Sequence, residues 1–250
     1  MISIWGLVKS YGRTLAVDHL DMEVGAELFV FLGPNGAGKT TTIKLMTGLL
    51  TPDAGSVTLN GFDIQKAPLD AKRQFGYAPE MPSLYEKLTP REFTEFILSV
   101  YHTPLAAGRE RLQQLFDIFE LTDQRDVLIE ELSHGMKKKV SLIAALVHQP
   151  KILFLDEPTV SLDPKAVRNL KELLRGLTRK GVCVFMSTHI LEVAEAMCDR
   201  IGIINKGKLC AVGTLDEMRR RGDGASLEDI FLRLTGEAYS SKIDEYLQSP

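Results

Sequence analysis

Apolar residues fall into three kinds of pattern along the chain. Residues 2–8 (ISIWGLV) and 15–24 alternate loosely between apolar and polar positions, and residues 57–59 and 62–64 flank Asn60-Gly61. A period of two sets one face of a strand on a core, and Asn-Gly is favoured in a type I′ hairpin turn. These segments predict an antiparallel β layer. Residues 28–32 (LFVFL), 152–155 (ILFL), 182–186 (VCVFM) and 201–204 (IGII) are instead short unbroken apolar runs, as strands buried on both faces require. They predict a mainly parallel sheet with helices outside it. From Pro90 to Gln149 the spacing lengthens, with Phe93, Phe96, Ile97 and Val100, then Leu112, Leu115, Phe116 and Phe119, at helical intervals. This block reads as a helical lobe inserted in an α/β core. Leu227, Ile230, Phe231 and Leu234 follow the i, i+3, i+4, i+7 rule behind a candidate cap at Ser226, predicting a short amphipathic helix.

Between the run at 28–32 and a helical period carrying Ile43, Met46 and Leu50 lies Gly33-Pro34-Asn35-Gly36-Ala37-Gly38-Lys39-Thr40, followed by Thr41. It fits G-x-x-x-x-G-K-[ST] between a buried strand and a helix, the context the phosphate-binding loop needs. Glycines let successive N–H groups converge on phosphate oxygens, the positive end of the following helix faces the same anion, and Lys39 reaches the β- and γ-phosphates. Thr40 is placed to ligate magnesium. The plain alternative, a glycine-rich turn that merely joins strand to helix, does not account for the flanks. A second candidate follows residues 152–155. Asp156 and Glu157 stand at the carboxyl end of a buried strand, the edge where open α/β sheets present ligands. Asp156 suits the metal, and Glu157 suits a general base for water attacking a γ-phosphate. Two solvated residues at a strand end are the ordinary alternative.

Leu132-Ser133-His134-Gly135-Met136 lies between the helical block and the Asp156-Glu157 strand. In that order the segments resemble the ATP-binding cassette ATPases, whose usual pattern here is Leu-Ser-Gly-Gly-Gln. Ser133 and Gly135 match; His134 and Met136 depart. The resemblance implies that Ser133 and Gly135 bind the γ-phosphate held by an opposite subunit. A serine hydroxyl and free N–H groups at a helix start make an anion site, though Ser133 also reads simply as a helix cap. The adjacent Lys137, Lys138 and Lys139 are read as a solvated face. Ser161-Leu162-Asp163-Pro164 resembles the family loop that crosses between two sites, and His189 resembles its γ-phosphate histidine. The other histidines, His19, His102, His134 and His148, carry no comparable warrant. Tyr11, in Lys9-Ser10-Tyr11-Gly12, resembles the aromatic residue that stacks on adenine. In Phe75-Gly76-Tyr77-Ala78-Pro79-Glu80 the family has glutamine at the last position. Glu80 can accept a hydrogen bond from magnesium-bound water but cannot donate one as an amide does.

The resemblance implies a P-loop ATPase domain over 1–220, with a nucleotide-binding core at about 1–85 and 151–220, a helical lobe at about 86–150, and a tail at 221–250. It implies ATP and Mg²⁺ as ligands and ATP hydrolysis as the activity. The implied partners are an integral membrane permease, touched through residues 81–100, and a second cassette subunit, identical or paralogous. The tail from Ser226 to Gly236 looks like that of multidrug, antibiotic and lipid exporter subunits, which favours export.

Composition narrows the alternatives. The 250 residues are 44% hydrophobic and 25% charged with a net charge of −3, so no global basic field attracts nucleic acid or an anionic bilayer. No nucleic-acid partner is expected. No run approaches a membrane-spanning length and the first ten residues lack a signal-peptide layout, so the expected place is the cytoplasmic side of the membrane, held there by the permease. Cys183, Cys198 and Cys210 lack metal-ligand spacing and are read as reduced, mostly buried thiols. A soluble cassette acting on ribosomes or DNA is the competing reading, but tandem cassettes and a long coiled coil are both missing between the motifs. A P-loop kinase predicts a phosphate acceptor and a lid instead.

Overall fold

The computed structural model describes residues 1–236; the rest of the tail expected over 221–250 lies outside the described residues. In chain order the elements are β1 (Ile2–Tyr11), β2 (Thr14–Val24), β3 (Leu28–Leu32), α1 (Lys39–Met46), β4 (Ala54–Leu59), β5 (Phe62–Asp63), α2 (Pro68–Lys72) and β6 (Phe75–Ala78). The helical block follows as α3 (Pro90–Val100), α4 (Leu105–Ile118), 3₁₀ turns at Thr122–Gln124 and Ile129–Glu131, and α5 (His134–Leu146). The chain then returns through β7 (Ile152–Asp156), α6 (Pro164–Arg179), β8 (Cys183–Thr188), α7 (Leu191–Met197), β9 (Arg200–Asn205), β10 (Lys208–Gly213), α8 (Leu215–Arg221) and α9 (Leu227–Thr235).

Two sheets result. One is antiparallel, in the order β2-β1-β4-β5. Its β4–β5 hairpin turns at Asn60 (φ 50°) and Gly61 (φ 91°), the two positive φ values that a type I′ turn needs. The other runs β10-β9-β3-β8-β7-β6 and is parallel except where β10 pairs antiparallel with β9. This is the expected α/β architecture, with a parallel-rich sheet, an antiparallel layer and an inserted helical lobe. The unbroken apolar runs have a direct cause. Leu28, Val30 and Leu32 of β3 join one core, with the lobe helices and α6, α7 and α9. Phe29 and Phe31 join the other, with β1, β2, β4 and α1. Successive side chains point to opposite faces, so a strand covered on both faces must be apolar throughout. Phe29 stacks on Phe185 at 5.6 Å between ring centroids.

Helix starts carry their own signals. Thr89 and Ser226 form capping boxes with Glu92 and Asp229, and Asp163 caps α6 with Pro164 in its first turn. The lobe is fastened to the sheet at one close approach: a Cβ on Gly76 of β6 would sit 1.9 Å from the Ala145 carbonyl of α5. Three elements lack a strong apolar pattern. The β6 edge strand is only four residues long and includes a glycine, while β10 and α8 are short and partly exposed. The cysteines correct their reading in part: Cys183 is buried, Cys198 half-buried and Cys210 exposed, all three free.

Candidate functional site

The carboxyl ends of β3, β7 and β8, neighbours in the sheet, open onto one site. The loop after β3 is shaped by contacts that exclude side chains. A Cβ on Gly33 would lie 2.5 Å from the Ile204 carbonyl, and one on Gly38 would lie 2.3 Å from the Ala16 carbonyl at a φ of 108°. Gly38 precedes α1 with no side chain capping the helix, which leaves the first-turn N–H groups free for an anion. Lys39 folds back over the loop: its Nζ donates to the carbonyls of Gly33 at 2.7 Å and Pro34 at 3.2 Å.

Asp156 and Glu157 end the adjoining strand. The Ser187 hydroxyl of β8 donates to Asp156 Oδ1 at 2.5 Å and accepts the Glu157 N–H at 3.1 Å, so one serine orients both residues. Glu157 sits at φ 46°, a conformation that turns the chain sharply out of the sheet. Its Oε1 lies 2.9 Å from His189 Nδ1 and 3.5 Å from Lys39 Nζ. Lys39, Asp156 and Glu157 are 6%, 0% and 4% exposed. Asp156 Oδ2 and Glu157 Oε2 are buried with no hydrogen-bond partner among the described residues. Buried carboxylate oxygens without a donor are costly, and hard anionic oxygens suit a divalent cation and its water. The donor set therefore fits a magnesium ion completed by phosphate and water. No group of three or more His, Cys, Asp or Glu side chains forms a protein-only metal cage among the described residues.

Thr40, Glu80 and Asp156 line one cavity of about 670 Å³, between α1, the segment after β6 and the lobe helices α3 and α5. The packing of α5 corrects the reading of the lysines. Lys137 is half-buried, but Lys138 is 1% exposed, and Lys139 is buried against Asp163 at 2.8 Å. Lys138 Nζ donates to the carbonyls of Pro79, Glu80 and Asp156. Burial pushes its ammonium down to about 8, against the opposing pull of Asp156, Glu80 and Glu157. A run of three like charges disguised it. Traced back from Leu142 and Ala145, the helical period puts residue 138 on the inward face. Ser187 was the other position missed; a polar residue closing a buried strand is the only signal for it.

Residues 17–160 match the family profile described as ABC transporter. The chain belongs to the ABC transporter family. It is 34% identical over 240 residues to the linearmycin resistance ATP-binding protein LnrL of Bacillus subtilis (strain 168), covering 96% of this chain and 77% of that protein. It is 36% identical over 234 residues to the probable multidrug ABC transporter ATP-binding protein YbhF of Escherichia coli (strain K12), covering 91% of this chain but only 40% of that protein. A solved ATP-binding subunit of an ABC transporter superposes with a TM-score of 0.89 at 35% identity, over 94% of this chain and 99% of the other. The chain is accordingly an ABC ATPase, an ATP-binding subunit of a transporter.

The remaining cassette segments are grouped more loosely around the site. Ser133 is exposed and caps α5, its hydroxyl accepting the Met136 N–H at 3.3 Å. A Cβ on Gly135 would lie 2.7 Å from the Ser161 carbonyl, so the start of α5 packs on the loop at 161–164. No hydrogen bond or ion pair among the described residues joins Ser133 or Gly135 to the phosphate loop. Tyr11, half exposed, stands at the β1–β2 turn, five residues before the Ala16 carbonyl that touches Gly38.

Proposed function

We propose that this ABC ATPase powers export through a separate membrane permease, closing head to tail with a second cassette over two Mg-ATP. The observation that carries the reading is the convergence of Lys39, Asp156 and Glu157 in one buried cluster, with a free carboxylate oxygen on each acid. In this reading Gly33, Pro34, Asn35, Gly36, Ala37, Gly38, Lys39, Thr40 and Thr41 hold the phosphates and Tyr11 stacks on adenine. Lys39 exchanges its two loop carbonyls for phosphate oxygens. Thr40, Asp156 and Glu80 hold magnesium, which when bound neutralises charge on the phosphates. Glu157 Oε2 takes a proton from water as the water oxygen bonds to the γ-phosphorus and the bond to ADP breaks. His189 steadies Glu157 through Oε1 and contacts the γ-phosphate.

Ser133 and Gly135 face the nucleotide of the opposite head, a role supported by their separation from the phosphate loop of their own chain. The second head is a copy or a paralogue. The core at 1–85 and 151–220 binds nucleotide and the lobe at 86–150 transmits closure; of the tail at 221–250, the described part packs on the core through Leu227, Ile230 and Phe231. Met81, which lines the 670 Å³ cavity, and Tyr85, Phe96 and Val100 are exposed apolar residues, Tyr85 and Phe96 packed edge-on at 5.7 Å, which supports residues 81–100 as the docking surface for a permease. Among the described residues no helix is long and apolar enough to cross a membrane; relatives named as ATP-binding proteins of resistance and multidrug transport systems support a membrane-spanning partner with this chain at its cytoplasmic face. Export rests on relatives named for linearmycin resistance and multidrug transport.

The test is a tagged Glu157→Gln chain, trapped with Mg-ATP in detergent-solubilised cells. Co-purification of a multi-spanning membrane protein is expected. Recovery of ribosomes, DNA-processing factors or no partner sinks the transport reading. Full ATP turnover by Lys39→Ala removes the catalytic one.

A further inference from the structure

Three carbonyls that shape the site meet on one buried side chain. Lys138 Nζ donates to Pro79 O at 2.9 Å, Glu80 O at 2.9 Å and Asp156 O at 3.2 Å. An ammonium has three hydrogens, so all of its donor capacity is spent there. A buried cation is tolerated only where such partners and nearby anions replace water. An apolar side chain of the same length would fill the space without that demand. The position of the contacts explains the charge. The β6–β7 ladder ends at the pair Ala78 and Leu155, and Pro79, next in the chain, has no N–H to continue it. Beyond that pair the Glu80 turn and the Asp156 strand end part company, and Lys138 is what ties them together. The same lysine stands five residues after Ser133, on the helix whose start is packed against the 161–164 loop.

We infer that Lys138 is a positioning residue for ATP hydrolysis, pinning the Pro79–Glu80 turn to the end of β7 so that Glu80 and Asp156 keep a fixed separation. The inference rests on the cassette reading above. It separates two things that a simple packing role would not: nucleotide affinity, set mainly by the phosphate loop, to which Lys138 makes no hydrogen bond among the described residues, and turnover, set by where the carboxylates stand.

The experiment uses the full chain with substitutions Lys138→Met, which keeps length and removes all donors, and Lys138→Gln, which keeps two donors on a shorter chain. ATP turnover, ATP affinity and thermal midpoint are measured for each. Lys138→Met is expected to bind ATP within about twofold of wild type and to turn over about 10- to 100-fold more slowly, the scale of a misplaced catalytic group. Lys138→Gln is expected to recover part of that loss. Wild-type turnover in Lys138→Met overturns the inference, and so does a loss that Lys138→Gln leaves unrelieved. If Lys138→Met does not fold, Lys138→Gln decides alone: slower turnover at unchanged affinity supports the clamp, and unchanged turnover overturns it. Absence of ATP hydrolysis by the wild-type chain defeats the cassette reading itself and the clamp with it, an outcome visible before any variant is made.

Discussion

His148 should make this protein acid-labile in a measurable and assignable way. Its ring stacks on Tyr101 with centroids 3.7 Å apart, and its Nε2 shares the Phe75 carbonyl with the Tyr101 hydroxyl, each at 3.2 Å. A carbonyl only accepts, so Nε2 carries the hydrogen, and a second proton has to enter at Nδ1, which is buried. Burial pushes the imidazole from its ordinary 6.5 down to about 4. A depressed folded value means that the unfolded chain takes the proton first. The contribution to stability is therefore whole above about pH 6.5 and drains as pH falls toward about 4. Proton binding at those two values costs the fold about 2 kcal/mol between pH 7 and pH 5, and about 3 kcal/mol by pH 4. Urea titrations followed by far-ultraviolet circular dichroism at pH 7 and pH 5 measure the loss for wild type and for His148→Phe. Phenylalanine keeps a ring against Tyr101, and the Phe75 carbonyl keeps the Tyr101 hydroxyl. Carboxylate titrations common to both proteins cancel in the difference. Wild type should lose about 2 kcal/mol more than the variant; an equal loss refutes the argument that a buried neutral imidazole holds this seam.

Three further outcomes follow from close contacts. Gly135→Ala places a Cβ 2.7 Å from the Ser161 carbonyl, so it should lower ATP turnover about tenfold while ATP affinity holds; steady-state kinetics beside equilibrium binding decide, and unchanged turnover contradicts the packing. Gly76→Ala drives a Cβ to 1.9 Å from the Ala145 carbonyl, where neither backbone can yield cheaply, and should destabilise by about 3 kcal/mol or more in denaturant titration. Asn205 Nδ2 donates to the carbonyls of Leu234 at 3.5 Å and Thr235 at 3.1 Å at the end of α9. Asn205→Ala should remove about 1 kcal/mol, seen as a thermal midpoint about 2 to 4 °C lower with ATP turnover intact.

Much of the fold is written locally. The apolar runs that became β3, β7, β8 and β9 are unbroken because each strand feeds two cores, and Asn60-Gly61 turns where its backbone preferences allow. The phosphate loop is legible from its spacing, although the demand that Gly33 and Gly38 answer is tertiary: the Ile204 and Ala16 carbonyls come within 2.5 Å of a built Cβ. Other elements were not read: β6 is a short edge strand, and α8 buries only Met218, although its Thr214–Glu217 capping box is a local signal. The candidate site divides the same way. Lys39, Asp156 and Glu157 are visible as spacings and His189 only by resemblance, and the fold places Lys39 Nζ and His189 Nδ1 within 3.5 Å of Glu157 Oε1, with Asp156 on the same strand end.

Sequence alone determined the strongly patterned strands and helices, though not β6, β10 or α8, and which residue types stand at the sheet edge, because these follow from side-chain period and backbone preference within a few neighbours. Tertiary structure alone decided that Lys138 is a buried tie and its neighbour Lys137 is not, that Ser187 orients both Asp156 and Glu157, and that His148 is kept neutral. Each of these depends on desolvation and on partners brought from 18 or more positions away. Charge and hydrogen-bonding capacity are properties of a residue; whether water or a distant carbonyl meets them is a property of the packed chain.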